Sequence, residues 1–193
     1  MTDDWKQRLQ TVLEPLLRLP DPRPRISTYH DMPYAIFHYP PEEEFSVRVE
    51  LSMLRTRLEQ SGKRVTVISL AECLQEALTA EGYTADKIAE VEISVGLDSV
   101  IETVHELLSE YHPLDELVIS RMPSDPDPLR DIVFIVRAGA LFPAYRTSAL
   151  LEQLHARVTI PCILFYPGTL EGTVGLSFMG VCDPDHNYRP RIF

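Results

Sequence analysis

The stretch 131–168, DIVFIVRAGALFPAYRTSALLEQLHARVTIPCILFYPG, constrains the fold more than any other part of the chain. It holds an apolar β-branched run, a short loop, a segment with Leu150, Leu151 and Leu154 on one helical side, a second apolar run, and Pro167-Gly168. Neither apolar run alternates with polar residues, so both read as strands covered on two faces, the habit of parallel sheets. Parallel neighbours need a long crossover, and the intervening helix supplies it as a βαβ unit. In such sheets the loop after the first strand lies where ligands bind. Here that loop has one glycine, Gly139, no lysine and no catalytic pair.

The same alternation extends toward the N-terminus. YAIFHY, residues 34–39, reads as a strand ended by Pro40 and Pro41. Glu42, Glu43 and Glu44 then open a long helix to Ser61, since carboxylates in a first turn suit the helix dipole. Val47, Leu51, Leu54 and Leu58 share one face of it, and Gly62 is its stop. A second strand is expected over 65–70, helices over 71–79, 98–111 and 114–122, and a surface loop over 123–128. After the third strand, over 132–136, the helix is expected to begin near Pro143, a residue suited to the first helical position. After the fourth, over 162–166, Pro167-Gly168 is expected to turn the chain. Gly172 permits a second bend, and 174–179 returns antiparallel in a hairpin. Residues 188–193 read as an edge strand because Pro190 disfavours a central place.

At the N-terminus, Asp3 or Asp4 can cap a helix whose apolar stripe is Trp5, Leu9, Val12, Leu13, Leu16 and Leu17. Pro15 leaves room for a kink or an early stop, and PDPRP, residues 20–24, reads as a linker. The expected organisation is therefore a helical arm and linker over 1–24 and a single α/β domain over 25–193. Its central sheet is mainly parallel, with four or five strands, helices on both faces and a C-terminal hairpin. By fold-level analogy the core is P-loop-like or Rossmann-like without a phosphate loop.

Charge narrows the function. Acidic residues outnumber basic ones 29 to 18, for a net charge of -11. Nucleic-acid binding by phosphate neutralisation would need a basic face assembled against that field. Acidity favours solubility first and a basic partner protein second. The three cysteines, Cys73, Cys162 and Cys182, form no Cys-x-x-Cys pair, which disfavours a disulfide scaffold or a zinc ribbon. MTDDWKQRLQ has no apolar leader, and no apolar run approaches the ~20 residues of a membrane span, so a cytoplasmic protein is expected.

After the first strand, His38-Tyr39-Pro40-Pro41-Glu42-Glu43-Glu44 opposes phosphate, because two prolines remove amide donors and three glutamates repel an anion. The loop Arg137-Ala138-Gly139-Ala140-Leu141-Phe142-Pro143-Ala144-Tyr145-Arg146 is the candidate partner surface. Its candidate residues are Phe142, Pro143, Tyr145, Arg146 and Arg137, since aromatic residues and arginine are enriched at interface hot spots. Gly139 is assigned a positive φ. Arg146, placed in the first turn of the next helix, opposes the dipole and is expected to meet an internal acid; the functional alternative is an acidic surface or phosphate on a partner. Cys182-Asp183-Pro184-Asp185-His186 supplies too few spaced ligands for a tetrahedral metal and reads as a turn. Cys73 and Cys162 read as small core residues, no spacing pairs His38 with His186, and no Gly-x-Ser-x-Gly occurs. No catalytic, cofactor or metal residue is assigned.

Several short motifs in order resemble one family. They are Tyr39-Pro40 before an acidic helix start, Gly139-x-x-Phe142-Pro143-x-x-Arg146 running into Leu150-Leu151-x-x-Leu154, Leu164-Phe165-Tyr166-Pro167-Gly168, and Asp185-x-Asn187-Tyr188-Arg189. Together, from about Pro33 to the C-terminus, they resemble the BrxB family of bacteriophage exclusion (BREX) systems. The resemblance implies a small non-enzymatic member of a multi-protein assembly, without a cofactor. Its implied companions are an alkaline-phosphatase-like protein (PglZ), a large ATPase (BrxC) and a DNA methyltransferase (PglX). The expected role is a scaffold or adaptor. The alternatives are a degenerate nucleotide- or nucleic-acid-binding module and, third, a hydrolase using His38 or His186.

Overall fold

The structure is a computed structural model that describes residues 4–27, 33–172, 175–186 and 189–193. Asp4 caps the N-terminal helix, its side chain accepting from the Gln7 amide at 2.9 Å. The helix begins as α1 (Trp5–Arg8), widens to a π-helical turn over Leu9–Leu13, and continues as α2 (Glu14–Leu17). The wide turn immediately precedes Pro15, whose missing N–H would otherwise break the ladder, so the helix passes the proline. Val12 falls off the expected stripe and is 40% exposed. The expected linker instead forms a short helix, α3 (Arg23–Ile26), with Pro24 in its first turn where an N–H is not needed.

Among the described residues six strands follow: β1 (Tyr34–Tyr39), β2 (Arg64–Ser69), β3 (Asp131–Val136), β4 (Cys162–Glu171), β5 (Gly175–Phe178) and β6 (Arg191–Ile192). Strand order is β2-β3-β4-β1-β6, with β5 paired to β4. Every pairing is parallel except β4 with β5. Tyr34 aligns with Cys162 and Tyr39 with Pro167, while β6 forms the expected edge strand beside β1. Of the strands expected over 174–179 and 188–193, Val174 and Tyr188 lie outside the described residues.

Helices cover both faces. After a 3-10 turn at Pro41–Glu43, α4 (Glu44–Gln60) carries the chain from β1 across two strands to β2. Its Val47, Leu51, Leu54 and Leu58 pack with Trp5, Leu9, Leu13 and Leu17 on Ala35, Phe37, Phe134 and Phe165 of the sheet. The N-terminal helix thus forms part of one core layer. The opposite layer contains α5 (Leu70–Ala80), α6 (Ala85–Val95), α7 (Leu97–Glu106) with a π-helical end at Leu107–Tyr111, α8 (Leu114–Ile119) and α9 (Thr147–Leu154). Of these, α5, α8, α9 and the π-helical end of α7 place buried leucines on Ile36, Val133, Ile135 and Leu164. Alternate β1 residues face alternate layers, the period-two signature of a strand covered twice. The β1-to-β2 crossover runs one way along the sheet and the next two run back, so right-handed crossovers demand helices on opposite faces.

Polar groups at the N-terminal ends of β2 and β3 join the layers. Arg64 forms a two-point pair with the buried Asp131, each hydrogen bond 2.6 Å. Lys63 turns inward, and its ammonium donates to the carbonyls of Leu19, Pro20 and Leu129 at 2.5, 3.2 and 2.8 Å. This ties the end of the N-terminal helix to the loop before β3. Desolvation lowers the Lys63 pKa.

Candidate functional site

The C-terminal edge of the sheet departs from the sequence expectation in a way that decides the site. β4 does not turn at Pro167-Gly168; it continues to Glu171. Residues up to Pro167 pair with β1, and those from Gly168 onward pair with β5. The proline's missing N–H therefore falls where the strand changes neighbours, and the ladder tolerates it. β5 returns over the loop that follows β3. The Met179 amide donates to the Pro167 carbonyl at 2.9 Å. A Cβ at Gly139 would lie 3.3 Å from Met179 Sδ and 3.4 Å from Pro167 Cγ. The crevice where open α/β sheets receive ligands is thus roofed by the chain's own hairpin at Gly139.

This also corrects the role of Gly139. Left-handed backbone occurs at Arg137, with φ 61° and ψ 38°. Gly139 is needed for close approach of the hairpin. The loop forms a 3-10 turn at Ala138–Leu141, followed by a cis Phe142–Pro143 peptide. α9 starts at Thr147, later than Pro143, and Arg146 takes the N-cap position with an extended backbone.

The five candidate contact residues separate by environment. Tyr145 is 3% exposed, and its hydroxyl donates to Gln153 Oε1 at 2.9 Å. Burial pushes its phenol up to about 12. It is a core residue whose ring cannot anchor a partner. Phe142 is half-buried and meets Phe178 edge-to-face, 5.8 Å between centroids. Pro143 and Arg146 are exposed, and Arg137 is half-buried. The internal acid expected for Arg146 is not there: among the described residues it makes no ion pair within 4 Å.

Arg146 instead stands at one end of an open cleft of about 560 Å³ between α9 and the C-terminal segment. The cleft is lined by Arg146, Glu152 and His155, by Tyr34 beneath them, and by His186 and Arg189 opposite. The Tyr34 hydroxyl donates to the Leu154 carbonyl, closing the floor. The C-terminal segment is positioned by a two-way bridge: the Leu176 amide donates to Asp185 at 3.1 Å and the Asp185 amide to Leu176 at 3.0 Å. A Cβ at Gly175 would fall 2.6 Å from His186 Cε1, so the imidazole packs directly on that glycine. His155, His186, Glu152 and Arg189 escaped the sequence reading as a group because they join only in the fold. Arg189 did stand in one of the motifs that carry the family resemblance.

His38 is buried within β1, four residues from Tyr34, so it stands about 13 Å along the strand from the cleft that holds His186. Desolvation pushes the Cys73 thiol to about 11 and also raises that of Cys162; both are buried, and Cys182 is exposed. Among the described residues no group of three or more His, Cys, Asp or Glu side chains could hold a metal, and no helix is long and apolar enough to cross a membrane.

Fold and site define the class: an α/β protein with a mostly parallel sheet, helices on both faces, and a loop after β3 covered at Gly139 by the chain's own hairpin. A family model described as BREX protein BrxB matches residues 66–192, well over half of the chain. The chain belongs to the BrxB family and is a component of a BREX phage-defence system. It is similar to BREX protein BrxB of Bacillus cereus (strain H3081.97), 29% identical over 162 residues, covering 83% of this chain and 82% of that one. No solved structure matches.

Proposed function

We propose that the chain is a non-enzymatic adaptor that binds other proteins of the BREX system, with PglZ-like and BrxC-like proteins as its partners and a PglX-like methyltransferase as a further one. One observation carries this reading. The hairpin closes the loop after β3 to a small ligand at Gly139, yet leaves Pro143 and Arg146 of that loop facing outward. A loop covered at Gly139 that presents an arginine is suited to a protein surface. The contact residues are Phe142, Pro143, Arg146 and Arg137, without Tyr145.

Affinity purification of the tagged chain from cells carrying the complete system tests the proposal. Recovery of the PglZ-like or ATPase component supports it. Recovery of neither, with phage resistance intact after deletion of the gene, overturns it.

A further inference from the structure

We infer that the cleft between α9 and the C-terminal segment seats an extended acidic segment of a partner protein, held by Arg146 and Arg189. The inference rests on the adaptor reading for the claim that the segment belongs to a partner.

The argument begins with charge. The chain carries -11 overall, and its acids commonly take up its arginines. Arg18 and Arg57 pair with Glu14, Arg64 with Asp131, Arg121 with Glu76, and Arg157 with Asp115. Arg146 and Arg189 are exposed and, among the described residues, make no ion pair. They line the same cleft, with the imidazoles of His155 and His186 and a single carboxylate, Glu152. Two guanidiniums without an ion pair among the described residues, set against one carboxylate in the same concavity, favour an anionic occupant.

Spacing then distinguishes between anions. Arg146 caps one end of α9 and His155 the other, about 13 Å apart along the axis. A compact polyphosphate calls for focused donors and converging backbone amides. Here the two guanidiniums stand on opposite walls, Arg146 at the head of α9 and Arg189 on the C-terminal segment, and the lining they share includes Ala149, Leu151 and Pro190. Carboxylates separated by apolar side chains on an extended polypeptide match that pattern. Glu152 in the middle disfavours a continuous phosphate backbone, whose charges leave no gap for it.

The test uses the full chain and a fluorescein-labelled peptide of alternating glutamate and leucine. Its controls are the lysine–leucine counterpart, inorganic pyrophosphate and single-stranded DNA. Anisotropy is expected to show binding of the acidic peptide that weakens steeply with salt. It should weaken at least about tenfold in the R146E/R189E double variant while R48E, on the opposite layer, leaves it unchanged. Equal binding by wild type and double variant overturns the inference, as does preference for DNA or pyrophosphate over the peptide. Copurification separates this result from the adaptor reading. If the double variant still recovers its BREX partners, the cleft assignment falls and the adaptor stands. If wild type recovers no partner yet binds the peptide through the two arginines, the adaptor falls and the cleft's chemistry stands.

Discussion

Arg57 of α4 reaches Glu14 of the N-terminal helix with an Nη2–Oε2 distance of 2.8 Å and forms a two-point pair with it. The same guanidinium lies 3.1 Å from Glu50, which also receives Lys6 and Gln10. Glu14 and Glu50 are buried, so these bonds fix the N-terminal helix to the core layer. Arg57→Ala is expected to lower unfolding free energy by about 3 kcal/mol. That is the low end for breaking a buried pair, because the Arg57 side chain is still 30% exposed. Urea denaturation checks it.

The same network sets a pH dependence. Burial by itself would raise the Glu14 carboxyl, but hydrogen bonds from Arg57 and Arg18 outweigh it and hold the group below its ordinary range. Burial likewise opposes, and Gln10, Lys6 and Arg57 overcome, at Glu50. Each carboxylate then contributes stability that is present above its unfolded pKa and lost as pH falls through the lower folded value. Urea midpoints measured from neutral pH downward should fall more steeply for wild type than for Arg57→Ala. Parallel slopes would show that the arginine does not depress either carboxyl.

Gly168 should be far less replaceable than Gly172. A Cβ at Gly168 would lie 2.3 Å from the Ser177 carbonyl oxygen and 2.5 Å from the Tyr166 ring, where neither backbone nor buried ring can yield. Gly172 has φ 67° with nothing within 4 Å of its added Cβ. Gly168→Ala is expected to cost about 3 kcal/mol or prevent the hairpin from closing, and Gly172→Ala about 1 kcal/mol. Thermal melts of the two variants give the order.

Much of this architecture is legible from residues alone. The YAIFHY run matched β1 because prolines bound it, and the leucine spacing of α4 matched its buried face. The failures have specific causes. α6 carries Ile88, Val91 and Val95 at helical spacing, but none of its residues is buried and charged residues interrupt the run, so the pattern is weak beside that of its neighbours. Pro143 has the local preference of a helix start, yet it lies in the loop between the 3-10 turn at Ala138–Leu141, which the hairpin covers at Gly139, and α9, which begins only at Thr147. Pro167-Gly168 was taken for a turn because its strand change-over depends on pairing partners remote in sequence. The cleft brings Arg146 to Arg189, a juxtaposition that no local pattern encodes.

The cysteines allow a simple test of the layers. Cys182 is exposed, whereas Cys73 and Cys162 lie in the core with thiols raised by desolvation. Maleimide at neutral pH should modify Cys182 rapidly in the native protein and reach all three only in denaturant. Native labelling of Cys162 would contradict its place at the start of β4.

Arg137 separates backbone need from side-chain contact. Its left-handed φ of 61° disfavours any residue with a Cβ, by roughly 1–2 kcal/mol. Glycine removes that strain but adds freedom to the unfolded chain, so Arg137→Gly is expected to stabilise by a net ~0.5–1 kcal/mol. Arg137→Val, β-branched and poorly suited to left-handed backbone, should destabilise by about 1 kcal/mol. Urea midpoints of the three proteins rank these effects. Since Arg137→Gly deletes the guanidinium while keeping the turn, its copurification behaviour reports on contact alone. Reduced recovery of BREX partners by a more stable protein assigns the Arg137 side chain to the interface, and unchanged recovery restricts the interface to Phe142, Pro143 and Arg146.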